Sequence, residues 1–170
     1  ALHPLGLPEA ELRRALGNYA ASGSAPNRTS QALAEGYGGQ ARPLAQEVPF
    51  SSARKWSALA FAGDTRGAYV LGAPEILAPH LTRERGDDWQ AARDTWAAQG
   101  LRVLLFAQSP QPLSAAPEGG EPALPSGLVP LGLVSLADEL RPGAQETLNG
   151  FAKAGIALKV ISGDNPQAVA

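Results

Sequence analysis

The stretch FSSARKWSALAFAGDTRGAYVLGAPE, residues 50–75, indicates the architecture of the chain around it. Alternating residues after Trp56 predict a strand, residues 63–67 supply turn chemistry, and residues 68–71 return as the hairpin partner. The sequence then predicts a helix start at Pro74. Phe50 followed by Arg54 and Lys55 offers an aromatic face beside positive charge, which a purine carrying phosphates requires. We therefore predict a nucleotide platform here.

Apolar residues at helical spacing predict further helices on both sides of this hairpin. One covers residues 9–21, a second begins after an Asn27 cap, and a third contains Trp89 and Trp96 and ends at Gly100. Residues 101–107 then form a short apolar run, predicted to be a buried strand that sends Arg102 outward. The proline-rich residues 109–127 predict a surface loop or linker.

The pattern changes after residue 127. Residues 128–136 predict an apolar strand, a helix follows to about Ala154, and residues 156–161 predict a second strand. We interpret this as a parallel β-α-β unit, with a ligand loop at Ser162-Gly163-Asp164 after its second strand. The fold class predicted is α/β: an antiparallel sheet flanked by helices over residues 1–127, followed by a partial Rossmann-like unit over residues 128–170.

Composition excludes several kinds of site. The 170 residues include no Cys and no Met, so thiolate metal sites and cysteine nucleophiles are absent. His3 and His80 lie far apart, which argues against a histidine metal site. The net charge of −2 disfavours a nucleic-acid surface. The longest apolar run, residues 127–137, is shorter than the roughly 20 residues of a membrane helix. Since the chain begins without Met, we expect the natural protein to be longer.

Five elements of the sequence, taken in order, resemble the P-type cation-transporting ATPases. The family's Phe-Ser-x-x-Arg-Lys, Lys-Gly-Ala-Pro-Glu and Arg-Val-Leu elements are matched from Phe50, Gly72 and Arg102. Its Asp-Pro-Pro-Arg-Pro and Thr-Gly-Asp-Asn elements are matched at Asp138 and at residues 163–165. The resemblance covers residues 50–170 and is closest to a bacterial branch near calcium-type and magnesium-type pumps.

Two departures and two absences qualify the resemblance. Leu71 stands where the family has a lysine, and Glu139 and Leu140 replace two prolines. The phosphorylated Asp-Lys-Thr-Gly-Thr motif and the magnesium loop Gly-Asp-Gly-Val-Asn-Asp are both missing. The resemblance therefore implies the nucleotide-binding domain (1–127) and part of the HAD-like phosphorylation domain (128–170), which we expect to be inactive alone.

The resemblance also implies roles for individual residues. Phe50 would stack on adenine, while Lys55 and Arg102 would supply cationic contacts to ATP. Ser162 and Gly163 would face the transferred phosphoryl group, with Asp164 organising that site. The predicted nucleotide-binding set is Phe50, Ser51, Arg54, Lys55, Leu71, Gly72, Arg102, Asp138 and Arg141, the last two at the hinge between the domains.

The implied whole is a cytoplasmic portion of an inner-membrane pump that uses ATP and Mg²⁺. Its partners would be the rest of the phosphorylation domain, an actuator domain and transmembrane helices. The resemblance to the bacterial branch favours calcium as the transported ion. Two alternatives stay open: a HAD-type small-molecule phosphatase with residues 1–127 as a cap, and a non-catalytic module that senses nucleotide. Each site residue also has a structural reading, Phe50 as a core aromatic and Lys55 as a solvated strand end.

Overall fold

A computed structural model describes residues 1–63, 67–82, 88–114, 120–137, 143–157 and 159. The described residues form six strands and five helices, together with a 3-10 turn at Ala78–His80. The strands are β1 Leu2–Pro4, β2 Leu44–Ser51, β3 Trp56–Phe61, β4 Ala68–Gly72, β5 Arg102–Ser109 and β6 Val129–Leu136; the helices are α1 Glu9–Ser22, α2 Arg28–Tyr37, α3 Pro74–Leu77, α4 Asp88–Ala98 and α5 Ala144–Lys153.

The strands form a single sheet in the order β1-β6-β5-β4-β3-β2, and every neighbouring pair is antiparallel. This confirms the predicted antiparallel sheet flanked by helices. Because side chains alternate along a strand, the sheet has two apolar faces. We call them the α4 face, where Trp56, Val70 and Leu105 pack with Trp89, and the α1/α2 face, whose residues include Leu12, Leu33, Leu59, Leu71 and Phe106.

Two local features of the sequence position α1 and α2 on this face: a capping box at the start of α2 and a glycine in α1. Asn27 accepts a hydrogen bond from the Ser30 backbone N–H at 2.9 Å, and the Ser30 hydroxyl accepts one from the Asn27 N–H at 2.8 Å. This reciprocal capping box sets the first turn of α2. Gly17 lets the chain after α2 approach α1 closely, since a Cβ there would overlap the Gly38 carbonyl. The helices therefore lie tightly together over the sheet.

The predicted β-α-β unit is wrong in its first strand. Instead of starting a separate parallel pair, β6 lies between β5 and β1 and pairs antiparallel with both. A short apolar run has the same sequence pattern in a parallel or an antiparallel buried strand, so the pattern did not distinguish them. Ile156 and Ala157, expected to begin the second strand, are not in a strand. The predicted helix between them is present as α5.

The remaining differences concern the edges of the sheet. No pattern in the sequence indicates β1, which pairs Leu2 with Val134 and covers the outer edge of β6. The division into domains 1–127 and 128–170 stays a prediction, but its boundary has to move beyond Leu136, because β6 is an inner strand of the first unit.

Candidate functional site

A cleft of about 870 Å³ opens on the α1/α2 face of the sheet. Its floor is formed by β2, β3, β4 and β5, and its walls by the start of α2, the start of α3 and the segment that joins α4 to β5. Three apolar side chains line the floor, Leu59, Leu71 and Leu104, and Leu33 of α2 lines the wall. The cleft is thus apolar at its base and bordered by helix and strand ends.

A β-bulge in β2 brings Phe50 into this cleft. Val48 pairs with Ala58 and Ser51 with Trp56, so Pro49 and Phe50 together stand opposite the single residue Ser57. Without the extra residue Phe50 would share the α4 face with Val48, since side chains alternate along a strand. The bulge instead places the ring among the cleft's lining residues, where it is 50% exposed. An exposed ring in this position is a surface available for stacking.

The turn between β2 and β3 holds Lys55 in an unusual backbone conformation. Its φ of 61° makes it the one described residue other than glycine in the left-handed region. The Lys55 N–H donates to the Ser51 carbonyl at 2.7 Å, and the Lys55 carbonyl accepts from the Ala73 N–H at 3.0 Å. These bonds hold the strained residue in place. They also tie this turn to the beginning of α3.

Gly72 is required where β4 passes under that turn. A Cβ at this position would lie 2.6 Å from Trp56 Cβ, 2.6 Å from Leu77 Cδ1 and 3.0 Å from the Lys55 carbonyl oxygen. Any side chain would therefore push the Lys55 turn away from β4. Gly72 contributes to the cleft by allowing this close approach.

Leu71, the residue that departs from the family pattern, is part of the apolar floor. It is 7% exposed and stands between Ser57 on β3 and Phe106 on β5 in the sheet register. Phe106 stacks on Tyr69, with ring centroids 5.7 Å apart. An apolar side chain fits these surroundings, so the middle of the floor carries no cation.

Polar groups lie next to this apolar centre. The Tyr19 hydroxyl, on α1, donates to Ser57 Oγ at 3.0 Å. Burial raises the pKa of Tyr19 well above its ordinary value. The Glu47 carboxylate, on β2, accepts from the Ser24 N–H at 2.9 Å. Tyr19 is therefore a neutral donor near neutral pH, and Glu47 is held by the loop before α2.

The structure brings together five of the residues expected to bind nucleotide. Phe50, Lys55, Leu71, Gly72 and Arg102 all line the cleft. The side chain of Arg102 points outward from β5, as predicted from its position at the start of an apolar strand.

Ser51 and Arg54 do not line the cleft. The Ser51 hydroxyl accepts from the Ala53 N–H at 3.3 Å, which stabilises the turn. Arg54 donates to the Pro49 carbonyl at 2.8 Å, and its guanidinium lies 5.8 Å from the centre of the Trp56 ring. Because Trp56 belongs to the α4 face, Arg54 lies on the side of the sheet away from the cleft.

The other predicted site residues lie outside the described part of the chain. These are the hinge residues Asp138 and Arg141 and the phosphoryl-site loop Ser162, Gly163 and Asp164.

Reasoning from the sequence missed several lining residues, among them Tyr19, Glu47 and Ser57. Tyr19 was assigned only to the apolar stripe of α1, and Ser57 only to one face of a strand. A polar side chain on the otherwise apolar face of β3 was the available signal, because buried hydroxyls require partners.

Two absences concern the described residues alone. They contain no group of three or more His, Cys, Asp or Glu side chains placed to hold a metal ion. Among them, no helix combines the length and the apolar character needed to cross a membrane.

Comparison with known proteins finds relatives that are all much longer than this chain. The chain is 39% identical over 158 residues to the calcium-transporting ATPase CtpE of Mycobacterium tuberculosis, covering 91% of this chain and 18% of that protein. It is 37% identical over 155 residues to the probable cation-transporting ATPase exp7 of Streptococcus pneumoniae, with 91% and 18% covered. For CtpE of Mycolicibacterium smegmatis the identity is 34% over 166 residues, with 96% and 19% covered. No family model matches the chain.

Proposed function

From the premise that this chain belongs to the P-type cation-transporting ATPases and corresponds to a segment of one, we propose that its cleft binds ATP for the pump. The observation that carries the proposal is a row of side chains across three strands. Phe50 on the β2 bulge, Ser57 on β3 and Leu71 on β4 stand side by side in the sheet register. An exposed ring beside an apolar floor is the environment that a purine base prefers.

The distribution of charge supports one orientation for the nucleotide. Leu71 pairs with Phe106, and Arg102 precedes Phe106 by four residues, so Arg102 lies roughly 13 Å farther along the sheet. The turn that carries Lys55 lies toward the same end. Phosphates would therefore bind at this end of the cleft, with the base over the row that contains Phe50.

Four other charged residues of the cleft agree with this orientation. At the cationic end, the Arg93 guanidinium and the Asp94 carboxylate pair with each other at 2.7 Å, and Glu75 contributes a second carboxylate. Lys55 and Arg102 give that end a surplus of positive charge. Glu47 pairs with Leu59 in the register, so it lies beyond Ser57 in the opposite direction. Its carboxylate would repel phosphates from the base end.

In the complete pump, ATP bound here would pass its γ-phosphate to an aspartate that lies outside this segment. Catalysis of such a transfer depends on positioning and on charge neutralisation. Mg²⁺ would arrive with the phosphates. The segment would lie in the cytoplasm, and by analogy with the names of its relatives the transported ion would be a cation such as calcium.

Substitution of Phe50 tests the proposal. Loss of base stacking costs roughly 1–3 kcal/mol, so Phe50→Ala should weaken ATP binding about five- to a hundredfold in calorimetric titration of the chain. Phe151→Ala removes another ring, 41% exposed and outside the cleft, and should leave the affinity unchanged. Equal ATP affinity in Phe50→Ala and the unmodified chain would contradict the stacking role.

The same titrations separate the alternatives. A chain that binds no ATP, ADP or GTP would contradict the nucleotide site itself. Release of phosphate from small phosphate esters would support the phosphatase alternative.

A further inference from the structure

The floor of the cleft contains a hydroxyl whose proton has no acceptor among the described residues. Ser57 Oγ accepts the Tyr19 hydroxyl proton at 3.0 Å. No other hydrogen bond of the Ser57 side chain occurs within the described residues, and Ser57 is only partly buried and lines the cleft. Because a hydroxyl both donates and accepts, the Ser57 proton remains available to a ligand.

The surroundings fix the direction in which this proton can be donated. Tyr19 is buried to 5% exposure, and its ring packs edge-to-face on Phe106, with centroids 5.4 Å apart. The Tyr19 hydroxyl is thus held rigidly, and it occupies one lone pair of Ser57 Oγ. Leu71 is the cross-strand neighbour of Ser57 on β4 and offers no acceptor in its side chain. The remaining open direction is into the cleft.

We propose that Ser57, oriented by Tyr19, is a specificity-determining residue that donates a hydrogen bond to a ring nitrogen of the bound base. The β2 bulge places Phe50 directly opposite Ser57, so a base stacked on the Phe50 ring has its edge beside this hydroxyl. A cationic side chain attracts phosphates and bases alike. A hydroxyl forms a hydrogen bond only with an acceptor at the right distance and angle. Tyr19 acts as a positioning residue.

This inference rests on the proposed function, but the two can fail separately. A site that reads a ring nitrogen must discriminate among ATP analogues in which one nitrogen is replaced by C–H. We expect one of 1-deaza-, 3-deaza- and 7-deaza-ATP to bind the unmodified chain about three- to tenfold more weakly than ATP, the effect of one neutral hydrogen bond. The other two analogues should bind like ATP unless their nitrogens contact other groups.

The decisive comparison uses Ser57→Ala. This variant should bind ATP about three- to tenfold more weakly, and it should bind ATP and the weak deaza analogue equally, because the two changes remove the same bond. Tyr19→Phe should produce a smaller loss with the same pattern, since Ser57 is still present but is no longer oriented. The matched control is Ser135→Ala on β6, a strand serine that is 5% exposed and outside the cleft.

The outcomes are distinct. If the unmodified chain does not bind ATP, the proposed function fails. If it binds ATP and Ser57→Ala binds equally well, or if Ser57→Ala still discriminates against the weak analogue, only the role of Ser57 is overturned. Thermal unfolding of each variant shows whether a lost affinity reflects a lost fold.

Discussion

The close approach of β4 to the Lys55 turn gives a quantitative prediction for Gly72→Ala. The added methyl would lie 2.6 Å from two carbon atoms, Trp56 Cβ and Leu77 Cδ1, whereas carbon atoms pack best at about 3.5–4.0 Å. The Leu77 methyl can rotate away. Trp56 Cβ and the Lys55 carbonyl oxygen belong to the backbone frame, so the turn itself has to move.

Overpacking of this kind costs about 1–3 kcal/mol, and the lower backbone entropy of alanine in the unfolded chain returns less than 1 kcal/mol. We expect a net loss of about 1–2 kcal/mol in the free energy of unfolding. For a chain of this size each kcal/mol lowers Tm by about 2–4 °C, so Tm should fall by roughly 2–8 °C. Because the displaced turn carries Lys55, ATP binding should weaken more than adenosine binding.

Gly36→Ala is the matched control. Gly36 lies inside α2, and a Cβ there would meet no atom within 4 Å. This substitution should stabilise the chain by about 0.4–1 kcal/mol. Differential scanning calorimetry measures both variants. A Tm for Gly72→Ala at or above that of the unmodified chain would refute the steric argument, and equal losses of ATP and adenosine affinity would refute the connection to Lys55.

Two further predictions concern the elements behind the cleft. Unfolded tyrosines ionise near pH 10. Burial raises the pKa of Tyr19 above that value, so the native state keeps a proton that the unfolded state loses, and stability should fall by about 1.4 kcal/mol per pH unit above pH 10. Tyr37, whose pKa burial also raises, adds to this slope, so denaturant titrations of Tyr19→Phe should show a shallower slope rather than none. Asn27→Ala removes the capping box of α2 and should lower the free energy of unfolding by about 1 kcal/mol, which corresponds to about 2–4 °C in Tm. The control, Asn149→Ala on the exposed helix α5, should lower it by less than about 0.5 kcal/mol. Equal losses in the two variants would contradict the capping role.

The parts of the fold that sequence reasoning predicted are those with strong local signals. The Asn27 cap, the alternation after Trp56 and the stop at Gly100 each act within a few residues, and α2, β3 and the end of α4 lie where they were expected. The strand β6 was placed wrongly because its neighbours are distant in sequence. No local pattern states which strands an apolar run will pair with.

The same distinction between local signals and pairing between strands applies to the site residues. Arg102 was predicted to point outward because it stands at the start of a short apolar run, and it lines the cleft. Arg54 and Lys55 are adjacent in sequence, but Lys55, which has a left-handed backbone conformation, lines the cleft, whereas Arg54 lies beside Trp56 on the other side of the sheet. The β2 bulge depends equally on a register set by β3. These features depend on the pairing between two strands. The residue pattern of a single strand does not predict that pairing.

Leu71 connects the fold to the proposed chemistry. A lysine at this position would have to bring its ammonium group past Tyr69 and Phe106, or extend its side chain into the cleft to keep the charge hydrated. Leucine instead contributes about 1.5–3 kcal/mol of apolar burial. If the cleft binds ATP as proposed, Lys55 and Arg102 would act on the phosphates at its far end, and Phe50, Ser57 and Leu71 would contact the base. Recognition of the base and recognition of the phosphates would then belong to different residues, and substitutions would separate them.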